Sequence, residues 1–291
     1  MFPAITTPFR EDLSVDHDCL GEHVRWLIEH GSNGIVPLGS LGESATLSFD
    51  EKVEVLATCR AAMKGGQPLV AGISALSTRE AVELAKAAQR VGCDGLMVLP
   101  PYVYRSDWRE MKAHVDAVIT ATPLSCMLYN NPIAYGTDFL PPQIAELCLH
   151  ENLQAVKESS GDIRRVAAIR ALIGDRLAIF IGVDDLIVEG LSAGAVGWVA
   201  GLVNALPDES VRLFNLAREG GAASARELYE WFLPLLRLDI GPKFVQLIKL
   251  VQHEVGRGSA AVRPPRMQVE GDELEQVLAL IRERLAMVPE A

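Results

Sequence analysis

Leu153-Gln154-Ala155-Val156-Lys157-Glu158-Ser159 is apolar enough to form a buried strand, yet it carries a lysine near its carboxyl end. With the period-two alternation of a strand, Ala155, Lys157 and Ser159 share one face while Val156 and Glu158 share the other. If the first face lines a closed barrel, burial strips water from the ammonium and favours the free, nucleophilic amine that Schiff-base chemistry needs. A lysine at the solvated end of a strand is the other reading of the same residues. The choice depends on the kind of sheet this strand joins.

Strand-like runs recur on both sides of it, at residues 2–7, 34–38, 69–73, 95–99, 125–129, 177–181 and 196–200, and residues 154–157 bring the set to eight. Helical stretches lie between them. Ser48-Phe49-Asp50-Glu51 and Ser77-Thr78-Arg79-Glu80 have the form of capping boxes, and Gly65 and Gly92 stand where the two helices should stop. Strand and helix in alternation predict an α/β chain with a closed parallel sheet, the (β/α)8 TIM barrel. An open doubly wound sheet competes with it, but no G-x-G-x-x-G follows any strand.

After residue 204 the pattern is helical only, at residues 207–218, 222–236, 242–255 and 272–287. The expected organisation is a barrel over residues 1–204 with a C-terminal helical extension, residues 205–291, packed on it. Pro242 suits a first helical turn, and Pro234 should end or kink its helix. Leu, Phe, Trp and Ile at helical spacing in this tail indicate core or subunit interface. The arginines of the turn Arg263-Pro264-Pro265-Arg266 are expected to be solvated.

Length and composition fit one large α/β unit of 291 residues. A formal net charge of −11 disfavours nucleic acid and anionic membranes as partners, since both require a basic face. No apolar run is long enough to span a bilayer, and the first strand starts at Phe2 with no leader pattern before it, so a cytoplasmic protein is expected. The five cysteines, Cys19, Cys59, Cys93, Cys126 and Cys148, form no C-x-x-C pair and read as reduced thiols. Six histidines without ligand spacing give no reason to expect a metal.

In a barrel the chemistry lies at the carboxyl ends of the strands and in the loops after them. The second run leads into Gly39-Ser40-Leu41-Gly42-Glu43-Ser44, where glycines let backbone amides face the barrel mouth and Ser40 adds a hydroxyl: a cradle for a small carboxylate, or simply a turn. The fifth ends in Tyr129-Asn130-Asn131-Pro132, and by parity Tyr129 points inward with Met127. It is either a proton carrier beside the amine or a packed core tyrosine.

Taken together, G-S-L-G-E-S, Y-N-N-P and V-K-E-S-S-G-D resemble the dihydrodipicolinate synthase and N-acetylneuraminate lyase family over nearly the whole chain. The opening residues 2–9, Pro100-Pro101-Tyr102 and the helical tail also fall where that family has them. The resemblance implies that Lys157 is the Schiff-base lysine and Tyr129 the proton-relaying phenol. It also implies that Ser40 and the Leu41 amide hold a 2-oxo acid carboxylate, and that Gly182 and Val199 line the pocket. It further implies a homotetramer and no separate cofactor, because the lysine itself supplies the electron sink.

The departures bear on substrate. Synthases of the family have two threonines in the turn after the second strand, where this chain has Ser40 and Leu41. They carry an arginine two residues beyond the Y-N-x-P proline to bind a second carboxylate, and here that position is Ala134. A tyrosine lent by the partner subunit falls at Val103, with Tyr104 next to it as the candidate for that contact.

Residues 39–43, 129–132, 157–162, 183–185, 197–199, 246–250 and 256–259 resemble the branch of 1-pyrroline-4-hydroxy-2-carboxylate deaminases, of hydroxyproline breakdown. That branch implies a cyclic imine carboxylate as substrate, with 2,5-dioxopentanoate and ammonia as products. Sugar-acid dehydratases and 2-oxo acid aldolases share the lysine and the tyrosine, and a non-catalytic barrel that binds small molecules is the reading from a different class.

Overall fold

A computed structural model describes residues 1–102 and 104–289 of the chain. Seven named strands, all parallel, form one sheet: β1 (Phe2–Pro3), β2 (Val70–Ile73), β3 (Gly95–Val98), β4 (Ser125–Asn130), β5 (Leu153–Glu158), β6 (Ala178–Ile181) and β7 (Gly197–Ala200), hydrogen-bonded in the order β1-β7-β6-β5-β4-β3-β2. The expected strand at residues 34–38 is present only as two bridges, Ala4 with Val36 and Ile35 with Leu69, and these join β1 to β2.

Pro37 explains the difference, because it has no N–H to extend the ladder. The bonds that remain still close the barrel. Val36 N donates to Pro3 O (2.9 Å) and Ile5 N to Val36 O (3.1 Å). On the other edge Ile35 N donates to Pro68 O (3.0 Å), and Val70 N and Gly72 N to Ile35 O and Pro37 O (2.9 Å each).

Eleven α-helices are described: α1 (His17–Glu29), α2 (Phe49–Ala62), α3 (Thr78–Val91), α4 (Trp108–Ile119), α5 (Pro132–Tyr135), α6 (Pro141–Leu147), α7 (Arg164–Ile173), α8 (Ile187–Ser192), α9 (Pro207–Leu236), α10 (Phe244–Glu254) and α11 (Gly271–Leu285). Ser48 and Glu51 form a reciprocal capping box, whereas Ser77 accepts from Glu80 N without the return bond. Gly92 ends α3 in the left-handed region (φ 90°). After α2 that conformation falls to Gly66 (φ 75°) and not to Gly65, since the helix already stops at Ala62.

In the tail, α9 joins the two stretches expected at residues 207–218 and 222–236 across a break at Gly221 (φ 73°, ψ −176°), and Pro234 is carried in its last turn. Buried Leu, Phe and Trp side chains of α9, Val, Ile and Leu side chains of α10 and Ile281 of α11 belong to the barrel's own apolar core. Polar anchors add to this packing. Trp231 Nε1 donates to Arg284 O (2.8 Å), and Lys249 of α10 donates to Glu43 beside the cavity (2.5 Å).

The turn at residues 263–266 differs from expectation. Arg263 is largely buried, donates to both carboxylate oxygens of Glu51 and to the carbonyls of Leu13 and Thr46, and lies over the Phe9 ring. Arg266 is half-buried and reaches the wall of the central cavity. Folding the tail back over the barrel mouth removes both arginines from bulk water.

Candidate active site

The carboxyl ends of the strands surround a cavity of about 450 Å³. Lys157 from β5, Tyr129 from β4, Met97 from β3, Gly182 after β6 and Val199 from β7 all line it, which is the inward parity expected for Lys157 and Tyr129. Tyr129 and Lys157 are register partners, 4% and 5% exposed, and Lys157 Nζ lies 4.4 Å from the centroid of the phenol ring. That places a buried amine and a buried phenol side by side at the carboxyl ends of neighbouring strands, the two group types that nucleophilic and acid-base chemistry would need. Of the two readings open for Lys157, the solvated strand end is excluded by its burial.

Lys157 is shaped by the backbone beside it. A Cβ at Gly182 would stand 2.3 Å from Lys157 Cε and 2.1 Å from Ser159 Oγ, so this position of the wall has to be glycine for the amine to extend into the cavity. Glu158 points to the other side, where it accepts from Asn130 Nδ2 (3.1 Å) and Ser160 N (2.6 Å). Burial raises its carboxyl above the usual range.

Asn131 organises the tyrosine. Its Oδ1 accepts from Ala134 N (3.0 Å) and caps α5, while its Nδ2 donates to the Tyr129 hydroxyl (2.9 Å), leaving the phenolic proton free to be donated elsewhere. The short helix begins on Pro132 and ends at Gly136 in the left-handed region (φ 66°), and this turn carries Tyr135 over the cavity. Tyr135 packs edge-on to Tyr129 and shares a short hydrogen bond with Ser40; burial, with Tyr129 beside it, pushes its phenol far above the ordinary range. Tyr102 packs at a tilt against Tyr135, with ring centroids 5.4 Å apart, and pairs with Ser74 Oγ (3.1 Å).

The loop carrying Ser40 and Leu41 is bracketed by non-glycine residues in the left-handed region, Leu38 (φ 63°) and Glu43 (φ 53°). Glu43 is fully buried and held by Lys249 Nζ (2.5 Å) and Arg263 N (3.0 Å). Among the described residues the amides of Ser40 and Leu41 donate to no carbonyl, so they remain available to a carboxylate. In barrel order this loop stands across from Lys157, four strand positions away.

Two carboxyl groups approach the Lys157 side of the cavity. Asp184 is buried and accepts from Trp198 Nε1 (2.9 Å), Gly201 N (3.1 Å) and Leu202 N (2.7 Å); burial raises it to about 6, against these bonds and the Lys157 charge. Asp239, from the turn after α9, lines the cavity itself. Burial and the neighbouring Asp184 hold its carboxyl well above the usual range, opposed by Lys157.

Of the residues singled out from sequence, Lys157, Tyr129, Ser40, Leu41, Gly182 and Val199 meet in this one cavity. Tyr104 does not: it is 59% exposed and lies outside the cavity of its own chain. Val103 lies outside the described residues. Ala134 is exposed at the mouth. Tyr135, Ser159, Asp239 and Arg266 are cavity residues that were not singled out as candidates. For Ser159 the signal was its shared parity with Lys157, whereas Asp239 and Arg266 come from the tail and carry no local pattern.

Residues 1–284 match the dihydrodipicolinate synthetase family. The chain is 34% identical over 258 residues to the 4-hydroxy-tetrahydrodipicolinate synthase of Caldicellulosiruptor saccharolyticus, covering 87% of each protein. With the enzyme of the same name from Geobacter metallireducens it shares 32% over 285 residues, 96% of each. Among solved structures, the 4-hydroxy-tetrahydrodipicolinate synthase of Methylacidiphilum fumariolicum superposes with a TM-score of 0.92 at 30% identity, over 98% of this chain and 96% of that one. The chloride-inhibited dihydrodipicolinate synthase of Acinetobacter baumannii in complex with pyruvate gives 0.92 at 28% identity, over 98% of each.

Proposed function

The chain belongs to the dihydrodipicolinate synthetase family, and from that membership we propose that it is a Schiff-base deaminase converting 1-pyrroline-4-hydroxy-2-carboxylate to 2,5-dioxopentanoate and ammonia. Membership makes it an enzyme of the class I aldolase type; the substrate is the proposal. The observation that carries it is the enclosed pairing of Lys157 with Tyr129, opposite a Ser40 and Leu41 cradle whose neighbour Ala134 brings no charge.

In this reading Ser40 and the free amides hold the single carboxylate, and Lys157 Nζ attacks C2 of the ring. Tyr129 passes a proton to the ring nitrogen as its bond to C2 breaks, leaving the opened substrate joined to Lys157 with a free amine on C5. The iminium acidifies C3. Loss of that proton gives an enamine that expels the C4 hydroxyl as water, and tautomerisation moves unsaturation to the C5 nitrogen. Two hydrolyses, at C5 and at C2, release ammonia and free the lysine, so the net reaction consumes one water. The protein assembles as a homotetramer in this proposal, supported by exposed Leu76 and Tyr104 in the loops after β2 and β3 and exposed Ile133 on α5 after β4.

Arg266 favours a second reading. It brings a guanidinium to the cavity wall from a direction other than the Ala134 position, and could meet the second carboxylate of a dianionic acceptor, as dihydrodipicolinate synthesis would require. The test is to assay ammonia release from the cyclic imine beside condensation of pyruvate with aspartate semialdehyde. A higher kcat/KM for ammonia release supports the deaminase; a higher value for condensation replaces it with the synthase.

A further inference from the structure

Asp239 reaches the reaction cavity from outside the barrel, on the turn Arg237–Asp239 that follows α9. Its carboxylate lies against the backbone of Gly201, where an added Cβ would be 2.2 Å from Oδ1, so any side chain at Gly201 would collide with it. Gly201 directly follows β7, two strand positions from Lys157 and two from the Ser40 loop. Asp239 therefore occupies the wall between nucleophile and carboxylate cradle, facing the wall built by Tyr129, Tyr135 and Tyr102.

The two acids on this side differ in what they need. Asp184 is satisfied by the indole and backbone amides. The Asp239 side chain accepts no hydrogen bond from any described residue. Nearby, the buried Ser159 hydroxyl beside Lys157 and Gly182 also has no partner. A carboxyl group and a hydroxyl left without hydrogen-bond partners beside a reactive cavity, the first attracted only by the more distant charge of Lys157, define where a polar group of the guest must sit, because leaving them without hydrogen bonds is costly. An N–H donor carrying positive charge satisfies a carboxylate best.

We infer that Asp239 makes the cavity selective for acids that also carry a basic nitrogen. The inference rests on the reading of the Lys157 cavity as a site for 2-oxo or imino acids, and it narrows the substrate class to nitrogen-bearing acids. Such a guest places its carboxylate at Ser40, its reacting carbon at Lys157 and its nitrogen at Asp239, with Ser159 Oγ free to bond a neighbouring hydroxyl.

Calorimetric titration of the full chain with 5-aminopentanoate and with hexanoate tests it, since the two acids have the same length and differ by an ammonium in place of a methyl. The native protein should bind the amino acid about ten- to a hundredfold more tightly, as a charge-assisted hydrogen bond provides. Asp239→Asn and Asp239→Ser, checked by thermal melting to be folded, should shrink the gap to about threefold or less. Equal affinities in the native protein, no binding of 5-aminopentanoate at millimolar concentration, or a gap that survives both substitutions would overturn the inference. A native protein that shows the gap but releases no ammonia from the cyclic imine would sink the deaminase reading while leaving the role of Asp239 in place. Ammonia release without the gap would do the reverse.

Discussion

The Lys157 side chain lies across Gly182 so closely that a Cβ there would overlap its Cε at 2.3 Å and its Cγ at 2.7 Å. Because the overlap includes the inner part of the chain, Lys157 cannot swing clear by moving its amine alone. Gly182→Ala should therefore lower the rate of Schiff-base formation tenfold or more while costing only about 1–3 kcal/mol of stability, the usual range for overpacking. Borohydride trapping of pyruvate on Lys157, followed by mass spectrometry, measures the first, and thermal melting the second. Unchanged trapping would mean that the wall does not set the position of the amine.

Tyr129→Phe keeps the ring beside Lys157 and its edge contact with Tyr135, and removes only the hydroxyl bonded by Asn131. An acid-base role predicts a fall in kcat of about a hundredfold or more, with Lys157 still trapping a 2-oxo acid. A shifted melting temperature with native turnover would identify a packing tyrosine.

Tyr135→Phe should act on binding instead. The lost hydroxyl leaves Ser40 without its present partner, and a single hydrogen bond of about 0.5–1.5 kcal/mol corresponds to a rise in KM of roughly two- to tenfold, with kcat little changed. Steady-state kinetics separates this from the effect at Tyr129; a fall in kcat as large as that of Tyr129→Phe would place both phenols in the chemical step.

Acid stability should depend on Glu51. The hydrogen bond from Arg263, with those from Ser48, lowers its carboxyl from the usual 4.5 to about 2. A depressed native value stabilises the fold above pH 4.5 and loses that contribution as pH falls from there towards 2. Discounted for partial exposure, the pair contributes about 1–2 kcal/mol at neutral pH. Glu51→Gln should be less stable than the native chain by that amount at pH 7, and the two denaturation curves should converge near pH 2. A constant difference across this range would assign the effect to packing.

Lys249→Met removes one partner of the buried pair that holds Glu43 in its left-handed turn. Breaking such a pair from one side costs about 3–5 kcal/mol, because the remaining carboxylate is buried without its cation. Denaturant unfolding should show this loss, and KM should rise as the Ser40 loop loosens. Native stability would mean that Arg263 N alone holds Glu43.

The barrel was legible in the sequence because local rules write it there. Period-two alternation of side-chain direction along residues 153–159 turned Lys157 inward, and capping signals marked the starts of α2 and α3 and Gly92 the end of α3. The strand at residues 34–38 was legible as an apolar run, but its reduction to two bridges follows from Pro37 meeting neighbours on both edges, which only the closed sheet supplies. Lys157 and Tyr129 could be placed inward in advance by strand alternation and Ser40 by its glycine-flanked turn, whereas Leu41, Gly182 and Val199 were named only because the family resemblance implied them, and all six meet in the cavity.

The remaining cavity groups were decided by tertiary structure. Asp239 and Arg266 sit in a tail whose local pattern reports only helix and turn, and both arginines of the turn at residues 263–266 read as solvated. Their positions are set by how the tail folds over the barrel mouth, through contacts such as Lys249 with Glu43 and Arg263 with Glu51 that link residues more than 200 positions apart. Periodicity is blind to such contacts because it reads a side chain's direction relative to its own helix or strand. Whether that direction leads to water or to another element is fixed only when the chain packs.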